Sequence, residues 1–346
     1  MSNALIDHLG TFSESDWLAA VEELLPQVHE VDRNALQIWF RFYPLSLKRF
    51  VDAGEKREET LHGIAMQGDF ELEGQIATSH HFLYGHRFWP KVKCVVEKLA
   101  DDFVGKPEAL VDLIKEVSIV VAEKRKVDRS LTNAIAAVGL MTLNQVGIDT
   151  FKAASGDVED ASKAMSKSPD AIVAERAKDD SQGMFGFLRT IDKQFSIAYS
   201  GAHASGKFSL LCDEEIASAS QKDSSRNWKE MDQRCWEGPI PIECTAASCG
   251  TCWVGVLGGQ EKLTDVGRRE RRQMKVFGYN QPEEERPFIR LACQARASGN
   301  VTIVVPPWNA VFGKKVYGNV EELDLEPVTT SAKALRETIA TAVTGD

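Results

Sequence analysis

The sequence predicts an α+β protein, with an N-terminal all-α helical bundle followed by a smaller, strand-rich domain. Three observations carry that reading. At 346 residues the chain exceeds one ordinary domain and suits two. From Ser13 to about Arg189 its apolar residues recur at helical spacing. After Phe187 the texture changes to QFSIAYSGAHASGKFSLLC, which alternates in polarity and is rich in strand formers. The expected domains are 1–190, helical, for docking, oligomerisation or a second cofactor; 191–318, strand-rich; and 319–346, an acidic tail ending in a short Ala-rich helix.

The helices follow in order. Ser13 with Asp16 reads as a capping box opening a helix through Leu25, and Asp32 reads as the cap of a second helix to about Val51. Helices are expected from about Glu71 to Trp89, after Pro90 through Phe103, and from Ser130 to about Ala153. Between Pro107 and Lys126, Leu110, Leu113, Ile114, Val117, Val120 and Val121 form one apolar stripe. Four or more such stripes with short connections imply a bundle. Residues 155–180, with Gly156 and Pro169 as breakers, read as weakly helical connecting sequence. The alternating segment near residue 200 reads as a hairpin around a Gly-bounded turn.

Composition narrows the function. Hydrophobic content of 43% with 27% charged residues belongs to a folded chain. A net charge of −10 argues against nucleic acid or an anionic membrane as partner, because phosphate binding needs a basic field. No window reaches the length and apolarity of a membrane span, since Asn133, Thr142, Asn144 and Gln145 interrupt the most apolar one. The opening MSNALIDHLGTFSESDW lacks a basic region followed by an apolar one. A cytoplasmic location is therefore expected. There, seven cysteines are thiols or metal ligands rather than disulfides, and four of them cluster.

The cluster is Cys244-x4-Cys249-x2-Cys252 in IPIECTAASCGTCWVGVLGG, with Cys293 following in LACQA. Two irons bridged by two sulfides need four thiolates in tetrahedral pairs, and a tight loop surrounds them with backbone N–H groups. Ala246, Ala247, Ser248, Gly250 and Thr251 are small enough for close approach of the backbone to the sulfides. Zinc ribbons pair two Cys-x2-Cys knuckles, and this chain has one. A Rieske centre needs two histidine ligands, yet no histidine follows His203.

From Gln194 to Trp308, about a third of the chain, the sequence resembles plant-type and adrenodoxin-like [2Fe-2S] ferredoxins. The resemblance implies a β-grasp sheet, a cluster loop opening after Ile240-Pro241, a following strand from Trp253 to Leu257 and a last strand from Val301 to Val305. It also implies Cys244, Cys249, Cys252 and Cys293 as the ligands of a [2Fe-2S] cluster. Three departures stand out. Ala247 occupies a position that is usually Gly, an insert containing GRRERRQMKVFGYNQPEEERPF lengthens the gap before Cys293, and SQKDSSRNWKEMDQRCWEG is polar for a crossing helix.

Other features have quieter readings. Cys94, Cys212 and Cys235 read as buried structural thiols. GAHASGKF at Gly201–Phe208 approaches a phosphate loop but leads into a strand, so it reads as a hairpin turn. GVLGG at Gly255 reads as a strand end and not as a dinucleotide fingerprint. The basic stretch Arg268–Lys275 reads either as a solvated helix or as a docking patch. Six histidines lie in the helical part, four of them being His62, His80, His81 and His86. Glu59 and His62 form one E-x-x-H, half of what a di-iron bundle requires. Haem on an aromatic core is a further reading, and Trp39, Phe40, Phe42 and Tyr43 read as core or as a subunit interface.

Together these expectations describe a one-electron transfer protein, more a carrier or redox-complex subunit than a catalyst. Its helical domain would dock it to redox protein partners, in a homo-oligomer or multisubunit complex. The alternative is an oxidoreductase subunit whose helical domain binds haem or di-iron fed by the cluster.

Overall fold

The computed structural model describes residues 3–68, 71–104, 109–158, 166–178, 193–277, 284–310 and 313–317. The chain divides into two units, one formed by Met1–Phe50 with Glu71–Glu175 and the other by Val51–Phe70 with Arg176–Asp346. Residues 51–70 thus pack with the second unit, although they lie inside the stretch expected to be helical domain. The expected boundary near residue 190 and the tail 319–346 fall outside the described residues. Helices make up the first unit and a mixed sheet organises the second, so the α+β class holds.

In the first unit the helix Asn133–Val146 is buried on all sides from Asn133 to Leu143, as expected of a helix that is apolar all round. Helices Glu30–Phe42, Trp89–Asp102 and Leu110–Arg125 pack against it. Near its ends the side-chain amides reach back to the backbone: Asn133 Nδ2 donates to Gln27 O at 2.7 Å and Gln145 Nε2 donates to Tyr43 O at 2.8 Å. The capping box of the helix Glu14–Leu24 is present, with Ser13 N–H donating to Asp16 Oδ2 at 2.7 Å and Asp16 N–H donating to Ser13 Oγ at 3.2 Å.

The expected helix from Asp32 to Val51 is two helices, Glu30–Phe42 and Leu45–Ala53, because Pro44 has no N–H to donate and restricts Tyr43 before it. His29, not Asp32, caps the first, accepting from Val31 N–H at 3.2 Å. Asp32 is buried and accepts from Tyr84 N–H at 2.6 Å and Gly85 N–H at 2.8 Å. The stretch from Glu71 to Trp89 is turns and two short 3-10 segments, and the next helix starts at Trp89 with Pro90 in its first turn. The expected helix 130–153 is interrupted at Gly147. Trp39, Phe40, Phe42 and Tyr43 are all buried, so they are core and not interface.

The second unit holds a five-stranded sheet: β1 (Gln194–Ser200), β2 (Ser205–Leu211), β3 (Trp253–Gly258), β4 (Ile289–Leu291) and β5 (Val301–Val304), in the order β2-β1-β5-β3-β4. β1 and β2 form the expected hairpin, with Tyr199 opposite Gly206. β5 runs parallel to β1 and antiparallel to β3. The segment following the hairpin forms only two short helices, Ile216–Ser220 and Trp228–Met231, so the polar stretch noted in the sequence contributes little helix. The long gap between Cys252 and Cys293 contains β3, the helix Arg268–Phe277 and β4.

Candidate metal centre

The four clustered cysteines meet at one end of this sheet. Cys244, Cys249 and Cys252 lie on the loop entering β3, and Cys293 follows β4. The β3–β4 register sets Trp253 opposite Leu291. Ala292 N–H donates to Cys252 O at 2.9 Å, which fixes the distant fourth cysteine beside the third. Cys244, Cys252 and Cys293 are each about 1% exposed, and Cys249 is half-buried.

The sulfurs stand as two pairs, Cys249 hydrogen-bonded to Cys244 and Cys252 to Cys293. The surroundings supply further donors. Cys249 N–H and Ser248 Oγ each reach Cys244 Sγ at 3.4 Å, and Gln294 Nε2 lies 3.6 Å from Cys293 Sγ. Backbone N–H groups of Ala246 and Ser248 also face Cys244, and that of Ala247 faces Cys293. Hydrogen bonds from Cys249, and then from Ser248 and the backbone, pull the Cys244 thiol down despite its burial. The Cys252 thiol likewise pulls Cys293 down. The donating thiols, Cys249 and Cys252, are correspondingly raised. The N–H and hydroxyl donors that face Cys244 and Cys293 offset negative charge on those sulfurs.

Its backbone is unusual where the sequence departs from the ferredoxin pattern. Ala247 has φ +58°, a left-handed conformation that costs an L-residue roughly 1–2 kcal/mol. Gly250 has φ +69°, and a Cβ there would lie 2.2 Å from Phe277 Cζ. Phe277 belongs to the helix Arg268–Phe277 and stacks edge-on against Trp253 at 5.8 Å. The same helix carries Glu270, fully buried, which accepts from Arg290 Nε at 2.9 Å, Arg290 Nη2 at 3.0 Å and Leu291 N–H at 2.8 Å. The basic stretch is thus no plain solvated helix: one face supports the loop and β4, while Arg268 and Arg269 are exposed. The sequence reading treated Ser248 and Thr251 only as small and passed over Gln294. Their proximity to cysteines along the chain was the available signal.

Two pairs of thiols suit two irons, each taking two thiolates. Among the described residues no three or more His, Cys, Asp or Glu side chains are arranged to hold a single metal ion. Elsewhere, His80 and His86 are buried and hydrogen-bonded to one another, Nδ1 to Nδ1, at 2.8 Å. Glu59 and His62 are exposed on the helix Arg57–Gly63, in the second unit rather than the helical one, and Glu59 pairs with Lys56 at 2.7 Å. Residues 201–204 form the β1–β2 turn, with Gly201 N–H donating to Ala204 O at 2.9 Å. Lys207 lies in β2 and not at a helix start. Cys235 is buried, which pushes its thiol up to about 12, Cys212 is half-buried, and Cys94 is exposed where burial was expected.

Residues 223–298 match the family of 2Fe-2S iron-sulfur cluster binding domains. The match spans all four cysteines and the helix Arg268–Phe277. Neither the curated proteins nor the solved structures include a significant match to this chain. Residues 223–298 are therefore a ferredoxin-type domain for a [2Fe-2S] cluster, which supports an iron-sulfur electron-carrier role. No helix among the described residues is long and apolar enough to cross a membrane.

Proposed function

We propose that Cys244, Cys249, Cys252 and Cys293 hold the cluster, with Cys244 and Cys249 on one iron and Cys252 and Cys293 on the other. The arrangement of the four buried or half-buried thiols in two pairs, ringed by N–H and hydroxyl donors, carries this reading. When bound, the cluster supplies one-electron chemistry. The protein's share is to fix the sulfurs, exclude water from three of them, and offset their charge with donors from Ala246, Ala247, Ser248 and Gln294. The order and directions of the five strands support a β-grasp domain of plant or adrenodoxin type.

The helical domain is read as a bundle that docks the carrier to redox partners or to further copies of itself, in the cytoplasm. The alternative of a second cofactor on the histidines gains no support, since His80 and His86 bond each other. Metal analysis and reductive titration test the carrier reading. About two irons and uptake of one electron per chain are expected. A sharp haem band, or about four irons per chain, contradicts it.

A further inference from the structure

The chain leaves the first unit after Phe50 and returns to it at Glu71. What lies between is fastened to the second unit. Gln67 and Gly68 pair antiparallel with Asn309 and Trp308. Gly68, at φ +80°, allows this approach, because a Cβ there would lie 2.5 Å from Pro307 O. Lys315 Nζ donates to Gly63 O. The receiving strand is itself pinned by Arg234, whose Nη1 reaches Asn309 Oδ1 at 2.5 Å and whose Nη2 reaches Pro306 O at 2.9 Å.

This fastening delivers a side chain to the cluster loop. Gln67 Nε2 donates to Glu243 Oε1 at 2.9 Å, and Glu243 directly precedes Cys244. Glu243 N–H donates to Thr251 Oγ1 at 3.1 Å, and Thr251 Oγ1 lies 3.2 Å from Cys249 Sγ. With the Cys249 sulfur deprotonated as a ligand, it has no proton to give, so the Thr251 O–H donates to it. Glu243 therefore joins two sets of hydrogen bonds through its own covalent frame: its carboxylate accepts from Gln67, and its backbone N–H polarises the Thr251 hydroxyl beside the Cys249 sulfur.

We propose that Gln67 is a positioning residue for electron transfer, setting the reduction potential by holding Glu243 against the cluster loop. The inference rests on the assignment of the four cysteines as ligands. Reduction adds negative charge at the site. An amide that partly offsets the Glu243 carboxylate, and fixes the N–H polarising Thr251, favours the reduced form. Loss of that amide lowers the potential.

The test is a redox titration of the full-length protein, followed through its reduced-state EPR signal. Gln67→Ala leaves the backbone pairing with Asn309 available and is expected to shift the one-electron equilibrium about threefold toward the oxidised form, about 28 mV at about 59 mV per tenfold. Gln67→Glu, which sets a second carboxylate beside the first, shifts it further. Glu243→Gln raises the potential, and in that background Gln67→Ala has less than half its original effect. An unchanged potential in Gln67→Ala at full iron content overturns the proposal, as does an equal shift with and without Glu243. Should Gln67→Ala lose the cluster, Gln67→Glu and Glu243→Gln decide on the same terms. Failure of the ligand assignment looks different: the EPR signal of Cys293→Ser would match that of the unaltered protein, whatever the potentials.

Discussion

Ala247 carries backbone strain inside the cluster loop. Its φ of +58° is one that glycine adopts freely and a β-branched residue hardly at all. Ala247→Val is therefore expected to reduce cluster content severalfold, while Ala247→Gly retains it, as read by visible absorbance per chain. Equal cluster content in the two variants would show that the loop does not depend on this conformation. At this scale the sequence was highly informative: cysteine spacing gave the candidate ligands, and the departure from glycine at Ala247 flagged the strained turn. The donors to sulfur were less legible. A hydroxyl or amide close to a cysteine in sequence need not aim at it, and only the folded loop turns Ser248, Thr251 and Gln294 toward Cys244, Cys249 and Cys293.

Among the elements, the helix Arg268–Phe277 depends on a buried ion pair. Removing one partner strands the other charge, so Glu270→Ala is expected to destabilise the second unit by about 3–5 kcal/mol in urea titrations. Replacing Glu270 and Arg290 together with apolar residues should cost much less, and equal losses would contradict the ion-pair account. In the first unit, burial holds His80 and His86 neutral, His80 well below its ordinary value and His86 down to about 4. Unfolded imidazoles take up protons near pH 6.5 and these do not, so stability is whole above that pH and falls as pH drops toward 4. Each histidine contributes a slope of up to about 1.4 kcal/mol per pH unit. Acid titration of the helical circular dichroism checks this, and a flat profile from pH 6.5 to 4 would contradict it. Helices with a clean stripe, such as Leu110–Arg125, were legible, as was the hairpin. Tyr43–Pro44 and the 71–89 region were not, because aromatic-rich turns share the apolar content of helices and Asp32 serves Tyr84 and Gly85 from a distance in sequence.

In the molecule as a whole, one unit presents a cluster loop on a mixed sheet and the other is an α-helical unit built around one buried helix. The two units were legible as changes in periodicity. The return of residues 51–70 to the second unit was not, since Gln67–Gly68 is too short to register as a strand and its partner Trp308–Asn309 lies far along the chain. The central claim is the four-cysteine assignment, and reduced-state EPR of single Cys→Ser variants tests it most directly. The account predicts that replacing Cys244, Cys249, Cys252 or Cys293 abolishes or strongly alters the signal, while Cys94→Ser, Cys212→Ser and Cys235→Ser leave it intact. A Cys293→Ser protein with an unchanged signal would contradict it.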